Sequence, residues 1–450
     1  MKPHDQPLSG PLDVVPASGS APQSPRVGIF QAFGFANYRY LWLGSLFTSI
    51  AIWVQQTTVG WVVYDLTGSG TILGSVTSMR AVPALLIAPL AGIAADRMRK
   101  QHVVTISQII MFTSSALMGL GLLFHVLEVW HLFLFTFVMG AAQSFNMPAR
   151  QTMVFDVVPR HVITNAVALS NLANSFSRTF GPMAGGALIT LFGPSNNFFL
   201  QASAYLGVTA MIFLMHLPPR QESTEPRRSM LKDAAAGYKY AITQPQTRLL
   251  MFLSMISPIF LIPIYFSIMP VFAKVSFHVH ASGLGILLAT VGVGGFCGGL
   301  LTAALGNVDR RGMLQLIALL VFSLAVIGFA AVAGLTGNMY LALPFLFIAG
   351  MGESLFNTTN QTVLQLTAPD DMRGRLTSVM QLGPLLWPIG GLVAGTASDH
   401  INVAWVGVIM GGTALVIGVG LFFFSPRMRQ LRMSDLERQH LATDHDHHIS

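Results

Sequence analysis

Apolar residues run along most of this chain in long stretches separated by short polar segments. Each stretch holds about 20 residues or more, enough for an α-helix to cross about 30 Å of hydrocarbon at about 1.5 Å per residue. We number the twelve predicted spans in chain order as 40–64, 71–95, 102–125, 130–149, 162–192, 197–217, 248–273, 281–305, 312–335, 339–366, 374–398 and 402–424. The pattern predicts an all-α membrane protein.

The polar segments predict how these spans are grouped. The longest internal one, 218–247, divides them into two sets of six and is interpreted as a cytoplasmic linker. We expect an N-terminal half at 29–217 and a C-terminal half at 248–425. Residues 1–28, rich in Pro and Ser, are predicted to be a disordered cytoplasmic tail, and 426–450 a second cytoplasmic tail.

The two halves carry similar motifs in the same order. Phe145-Asn146 and Gln151-Thr152 in span 4 and just beyond it recur as Phe356-Asn357 and Gln361-Thr362 in span 10. Internal duplication in a membrane chain is typical of transporters that move one repeat against the other around a central site.

Composition and charge fit this interpretation. The chain is 52% hydrophobic and only 10% charged, against about 25% charged in soluble domains. With the N-terminus inside, Lys274 is the only one of the 25 Lys and Arg residues on the outside, and Arg80 and Arg178 lie within spans. Lys and Arg favour the cytoplasmic side, so we expect an inner-membrane protein with both termini in the cytoplasm. The net charge of +7 then gives no reason to expect a nucleic-acid partner.

Two cytoplasmic loops and one span carry motifs that resemble a known family. The loop residues are Gly92, Asp96, Arg97 and Lys100 before span 3, and Asp309 and Arg310 before span 9. The span 5 motif is Gly181, Pro182, Gly185 and Gly186. With these motifs, about residues 30–425 resemble the major facilitator superfamily. Asn37–Gly44, Tyr64–Ser69 and Met147–Arg150 resemble its branch containing the enterobactin exporter and related drug efflux proteins.

The resemblance implies the fold and the activity. It implies twelve helices in two pseudo-symmetric halves, and a secondary active transporter that exports amphipathic drugs or siderophores, coupled to protons, by alternating access. The motif loops would gate the cytoplasmic side, and the span 5 motif is similar to one associated with antiporters. The sequence departs from the family's motifs at two places: Arg99 replaces a glycine of the loop motif, and no arginine precedes Gln143 in span 4. An importer or uniporter remains the alternative, with an intramembrane enzyme more distant.

Three full charges lie well inside the predicted spans: Arg80, Arg178 and Glu353. A charge in hydrocarbon costs several kcal/mol unless it is paired or faces water. One hypothesis makes Glu353 the proton-binding carboxylate, or the anchor for a cationic substrate group. The alternative is a static salt bridge with an arginine.

The two arginines support a second hypothesis. One carboxylate cannot neutralise both, so an anionic or catecholate-like substrate would supply the missing charge. The alternative for Arg178 is that it bonds backbone carbonyls freed by Pro182.

Uncharged polar side chains at similar depth are predicted to line a central cavity. They are Gln55, Gln56, Gln143, Asn146, Asn357, Asn360 and Gln361. No phosphate-loop motif is found in the sequence, and we expect no metal or cofactor, because we interpret His445, His447 and His448 as part of a frayed terminus and not as a metal site. The expected partners are a small-molecule substrate, protons and membrane lipid. We expect a monomer.

Overall fold

The structure is a computed structural model that describes residues 30–87, 98–215, 239–240, 242–367, 372 and 386–432. The described part is helical and contains no β-strand. Its long helices are Ala36–Thr67 (span 1), Gly70–Met79 (span 2), Lys100–Leu123 (span 3), Val129–Val157 (span 4), Ile163–Phe213 (spans 5 and 6), Pro245–Ile256 (the start of span 7), Ala281–Ala304 (span 8), Arg311–Leu335 (span 9), Met339–Thr367 (span 10), Trp387–His400 (span 11) and Val403–Phe424 (span 12).

The all-α membrane class is confirmed. Within the described residues, nine helical segments are long and apolar enough to cross a membrane, and they correspond to every predicted span except 5, 6 and 11. The count of twelve stays a prediction.

Two helix boundaries differ from the sequence prediction. Span 4 was expected to end at residue 149, but its helix runs through Pro148 to Val157. Spans 5 and 6 lie on one helical run that is interrupted only at Gly193, where φ is 81° and ψ is 163°. Glycine tolerates this left-handed backbone because it has no Cβ, so one residue takes the place of the expected loop.

Span 7 is the most irregular helix. It runs from Pro245 to Ser276, with π-helical turns at Ser257–Leu261 and Phe272–Ser276 and a break at 267–268. Three prolines, at 258, 263 and 270, remove backbone donors along it. The irregular stretch includes Tyr265 and Phe266.

The two halves meet through pairs of helices that pack closely. Span 2 packs on span 11, and span 5 packs on span 8. Counting six spans to a half, span 2 is the counterpart of span 8, and span 5 that of span 11. The two contacts are therefore the same contact related by pseudo-two-fold symmetry, as expected for a duplicated transporter.

Candidate functional site

A charged pair joins the two halves. Arg178 of span 5 donates from Nη2 to Oε1 of Glu353 in span 10 at 2.6 Å. The Glu353 side chain is 4% exposed, and that of Arg178 is 40% exposed. The partner of Glu353 is thus an arginine of the other half, and Arg178 does not depend on the backbone around Pro182 for a counter-group.

Aromatic rings from both halves surround the guanidinium of Arg178. Its Cζ lies 6.0 Å from the ring of Trp53 in span 1 and 5.5 Å from the ring of Phe266 in span 7. Phe266 in turn stacks on Trp387 of span 11. Such rings attract a cation through their electron-rich faces, so they hold Arg178 in place while leaving part of it exposed.

Tyr265 adds a buried hydroxyl beside this pair. It is 1% exposed, lies near both Glu353 and Arg178, and makes no hydrogen bond of good geometry within the described residues. Glu353 thus faces one cation and one hydroxyl group.

A narrow cavity lies against Arg178. Spans 1, 5, 7 and 8 line it, through residues that include Gln56, Pro182, Met269 and Val291. Its volume is about 20 Å³, room for one or two water molecules. A drug-sized ligand needs roughly 300 Å³ or more, so this cavity would have to widen to hold such a ligand.

Arg80 and Arg150 form a second basic cluster, inside the N-terminal half. Arg80 donates from Nη2 to Oε1 of Gln143, and Arg150 donates from Nη1 to Oδ1 of Asn146 at 3.4 Å. Both guanidinium groups lie close to the buried hydroxyl of Tyr205 in span 6. Among the described residues, no carboxylate forms an ion pair with either arginine.

The ends of the halves that the sequence predicts to face outside, called the outer ends below, are held together by polar contacts. Lys274 of span 7 pairs with Asp65 and lies 4.5 Å above the ring of Trp61. Asp399 accepts hydrogen bonds from the Ser69 hydroxyl at 2.7 Å and from the backbone N–H groups of Gly70 at 2.5 Å and Thr71 at 2.9 Å. Asp399 thus caps span 2 from the opposite half.

Asp399 lies one residue beyond predicted span 11 (374–398), at the outer surface. Its partial burial disfavours the charged carboxylate, but the hydrogen bonds from Ser69, Thr71 and Gly70 outweigh this and lower its pKa to about 2. The cap therefore stays ionised at neutral pH.

Glycines let the halves approach closely. A Cβ on Gly74 of span 2 would lie 2.5 Å from the carbonyl oxygen of Gly391 in span 11, and one on Gly186 would lie 2.8 Å from Cα of Gly285 in span 8. Within the span 5 motif, Gly181 and Gly185 face span 1 of the same half. The motif therefore packs on both halves.

The contacts between the halves described here lie at the Arg178–Glu353 pair or on its outer side. The outer end of the molecule is closed by Asp65–Lys274, Asp399 and the glycine contacts, together with a bond from the Ser78 hydroxyl to the Pro388 carbonyl. With the orientation that the sequence predicts, this arrangement is closed toward the outside.

The other predicted site residues fall in different surroundings. Gln56 lines the cavity, whereas Gln55 is 7% exposed and accepts a 3.4 Å bond from Tyr205. Asn360 is buried against Gln315 of span 9, Asn357 is partly exposed and Gln361 is exposed. These placements leave cavity lining by this set a prediction.

The gating loops are described only in part. Gly92, Asp96 and Arg97 lie outside the described residues, as do Gly383 and Pro384 of span 11. Lys100 pairs with Asp156 at the inner end of span 4 at 2.7 Å. Asp309 and Arg310 lie in the turn before the helix of span 9.

Sequence reasoning did not select Arg150, Asp65 or Asp399. Arg150 fell one residue beyond the predicted end of span 4 and was counted as cytoplasmic. Asp65 and Asp399 lie next to span ends, where a lone carboxylate is ordinary. A span 4 helix extended past Pro148 is the signal that would have placed Arg150 within the bundle.

The chain is similar to transporters of known type. A family model described as transmembrane secretion effector matches residues 28–447. The staphyloferrin A transporter of Staphylococcus aureus is 22% identical, over 88% of this chain and 98% of that protein. The multidrug efflux pump Tap of Mycolicibacterium fortuitum is 23% identical, over 83% and 92%. The enterobactin exporter of Citrobacter koseri is 22% identical, over 84% and 88%.

Solved structures share the fold. A bacterial homologue of the human lysosomal transporter Spinster, inward-facing and unoccupied, superposes with a TM-score of 0.69 at 16% identity, covering 87% of this chain and 98% of that one. A mutant of the nucleoside transporter NupG superposes with a TM-score of 0.71 at 15% identity, covering 86% and 100%.

Proposed function

The chain belongs to the transmembrane secretion effector family of major facilitator transporters, and from this premise we propose that it exports amphipathic small molecules, drugs or siderophores, in exchange for protons. It is a secondary transporter and not an enzyme. The drug and enterobactin exporters among its relatives support the class of cargo. The charge distribution supports an inner-membrane location with both termini in the cytoplasm. We propose that the transporter acts as a monomer.

The Arg178–Glu353 pair is the observation that carries the coupling proposal. It joins the two halves while their outer ends are in contact. In a proton-driven exporter, Glu353 takes up a proton when it faces the outside and releases it toward the cytoplasm. Protonation removes the negative charge and breaks the pair. Formation of the pair thus accompanies outer closure, and its loss accompanies opening.

Two variants distinguish a role of the pair in proton coupling from a static salt bridge that only holds helices together. Glu353→Gln alone leaves Arg178 without a counter-charge, while Glu353→Gln with Arg178→Gln removes both charges. Transport is measured in proteoliposomes against internal and external pH. The coupling proposal expects the double variant to fold and to move cargo down its gradient with no response to a pH gradient. A double variant that still accumulates cargo with a wild-type pH response would show that the pair only holds helices together.

The direction of transport needs its own measurement. We expect expression in an efflux-deficient host to lower the accumulation of amphipathic compounds, and a protonophore to restore it. Higher accumulation on expression would instead support the importer alternative.

A further inference from the structure

We propose that the Arg80–Arg150 cluster binds the anionic head of the cargo, and that the cargo class is therefore amphipathic carboxylates. This inference rests on the proposed export function and adds to it a specific binding site within the N-terminal half. It differs from the sequence hypothesis, which paired Arg80 with Arg178, because Glu353 already neutralises Arg178.

The positions of the two arginines place the cluster inside the bundle. Arg80 follows the first helical part of span 2, about 15 Å from its outer end at Gly70. Arg150 lies about 10 Å from the inner end of span 4 at Val157. Both side chains are only partly exposed, so neither lies freely at the cytoplasmic surface.

The charge balance of the cluster is incomplete. Gln143 and Asn146 each supply an amide oxygen, which bonds a guanidinium but carries no charge. Residues 143, 146 and 150 recur at helical spacing, so they share one face of span 4. Two cations at this face, Arg150 on span 4 and Arg80 on span 2, have no carboxylate partner among the described residues and are costly in a membrane interior. A bound anion would lower that cost.

Unused donors point to the same ligand. Asn146 is 2% exposed and its Nδ2 has no partner within the described residues. Gln201 is one turn from Tyr205 on span 6, is 2% exposed, and has neither its nitrogen nor its oxygen bonded there. Guanidinium groups bind carboxylates through paired N–H donors, and the unbonded amide nitrogen of Asn146 can add a further donor.

The rest of the cargo has an apolar surface to contact. The rings of Trp53 and Phe266 lie around Arg178, and Trp387 stacks on Phe266. An anionic head at Arg80 and Arg150, with an apolar body directed toward these rings, would use both parts of the site. This explains why the cargo should be amphipathic and not a small inorganic anion.

A matched pair of probes tests the inference. Equilibrium binding of radiolabelled 1-naphthoate and of 1-naphthamide is measured on the full chain in nanodiscs. The two probes share a ring system and differ in charge. We expect wild type to bind 1-naphthoate at least ten-fold more tightly. Arg80→Gln and Arg150→Gln should each weaken 1-naphthoate binding about ten-fold or more and leave 1-naphthamide unchanged, because each loses a charged hydrogen-bond donor.

Two further variants serve as controls. Arg160→Gln removes an equal charge from an exposed position and should leave both affinities unchanged. Arg150→Lys keeps the charge but loses the paired donors, and should weaken 1-naphthoate less than Arg150→Gln does. A wild-type protein that binds both probes equally, or binds neither, overturns the inference. If such a protein still exports neutral amphipaths from cells, the proposed function stands without the anion site.

Discussion

The interface between the halves and the interior of the N-terminal half both contain arginines within the membrane, but these arginines have different partners. At the interface, Arg178 has a carboxylate partner in the opposite half. Inside the N-terminal half, the hydrogen-bond partners of Arg80 and Arg150 among the described residues are amide oxygens. A pair shared between moving parts forms and breaks as the parts move, whereas an unpaired cluster within one part travels with it. The first arrangement suits coupling, and the second suits binding of a ligand.

Locking the outer interface gives the largest expected effect. In a Cys297→Ser background, Asp65→Cys with Lys274→Cys places two thiols where an ion pair now joins the halves. A crosslink there should stop transport completely, because alternating access requires the outer ends to separate. The readout is flux in proteoliposomes before and after oxidation. Undiminished flux through a fully crosslinked protein would refute movement of one half against the other.

A bulky residue at a close glycine contact between the halves should prevent outer closure. Gly74→Val would push a side chain into the Gly391 backbone, so we expect at least a ten-fold loss of transport with normal expression. Gly412→Val is the matched control, because a Cβ on Gly412 would meet nothing within 4 Å. Equal transport by the two variants would show that the tight contact is not needed.

Substituting Arg178 and substituting Arg80 should change the melting temperature of the protein differently, because only Arg178 has a carboxylate partner among the described residues. Arg178→Gln leaves buried Glu353 unpaired, and we expect it to destabilise the protein by about 1–3 kcal/mol, below the range for fully buried pairs because Arg178 is partly exposed. Arg80→Gln removes a charge that has no counter-charge among the described residues, so it should leave stability unchanged or raise it.

Thermal unfolding of the two purified variants without cargo is the measurement. A fall in melting temperature for Arg80→Gln as large as that for Arg178→Gln would mean that the N-terminal cluster is a structural element. The Arg80→Gln variant could instead melt at a higher temperature than wild type without ligand, and lose this advantage when 1-naphthoate is added to both proteins. That result would show that the unpaired charge destabilises the empty protein and is stabilised by a bound anion.

Of the substitutions considered, Asp399→Asn is expected to have the smallest effect on closure of the outer ends. Its pKa is lowered from about 3.8 to about 2, so its stabilisation is complete above its ordinary pKa and is lost only as the pH falls through about 2. Outer closure should therefore receive the same contribution from Asp399 between pH 5 and pH 8. Asp399→Asn should weaken closure by about 1 kcal/mol, as for loss of a helix cap.

Spin labels at the outer ends of spans 2 and 11 would report the fraction of closed molecules. We expect the Asp399→Asn variant to open more at every pH with the same pH dependence as wild type. A change in that dependence between pH 5 and pH 8 would assign part of the proton response to the outer cap instead of to Glu353.

The sequence alone was enough to predict the class of fold, because hydrocarbon requires long apolar helices and the apolar stretches can be read directly. It also identified Glu353 and Arg178 as unusual, since any charge deep in a span is costly. Helix ends were less predictable: span 4 was predicted to end at residue 149, whereas its helix continues to Val157, and that error hid Arg150.

Which charges meet was decided only by the tertiary structure. Arg178 and Glu353 are far apart in sequence, and nothing local distinguishes Arg178 from Arg80 as the partner of Glu353. The packing of span 5 near span 10 makes that choice, and the packing of spans 2, 4 and 6 brings Arg80, Arg150 and Tyr205 together. The apolar pattern of each helix indicates which residues face lipid or other helices. The pairing of polar groups depends on which helices are neighbours, and only the assembled bundle determines that.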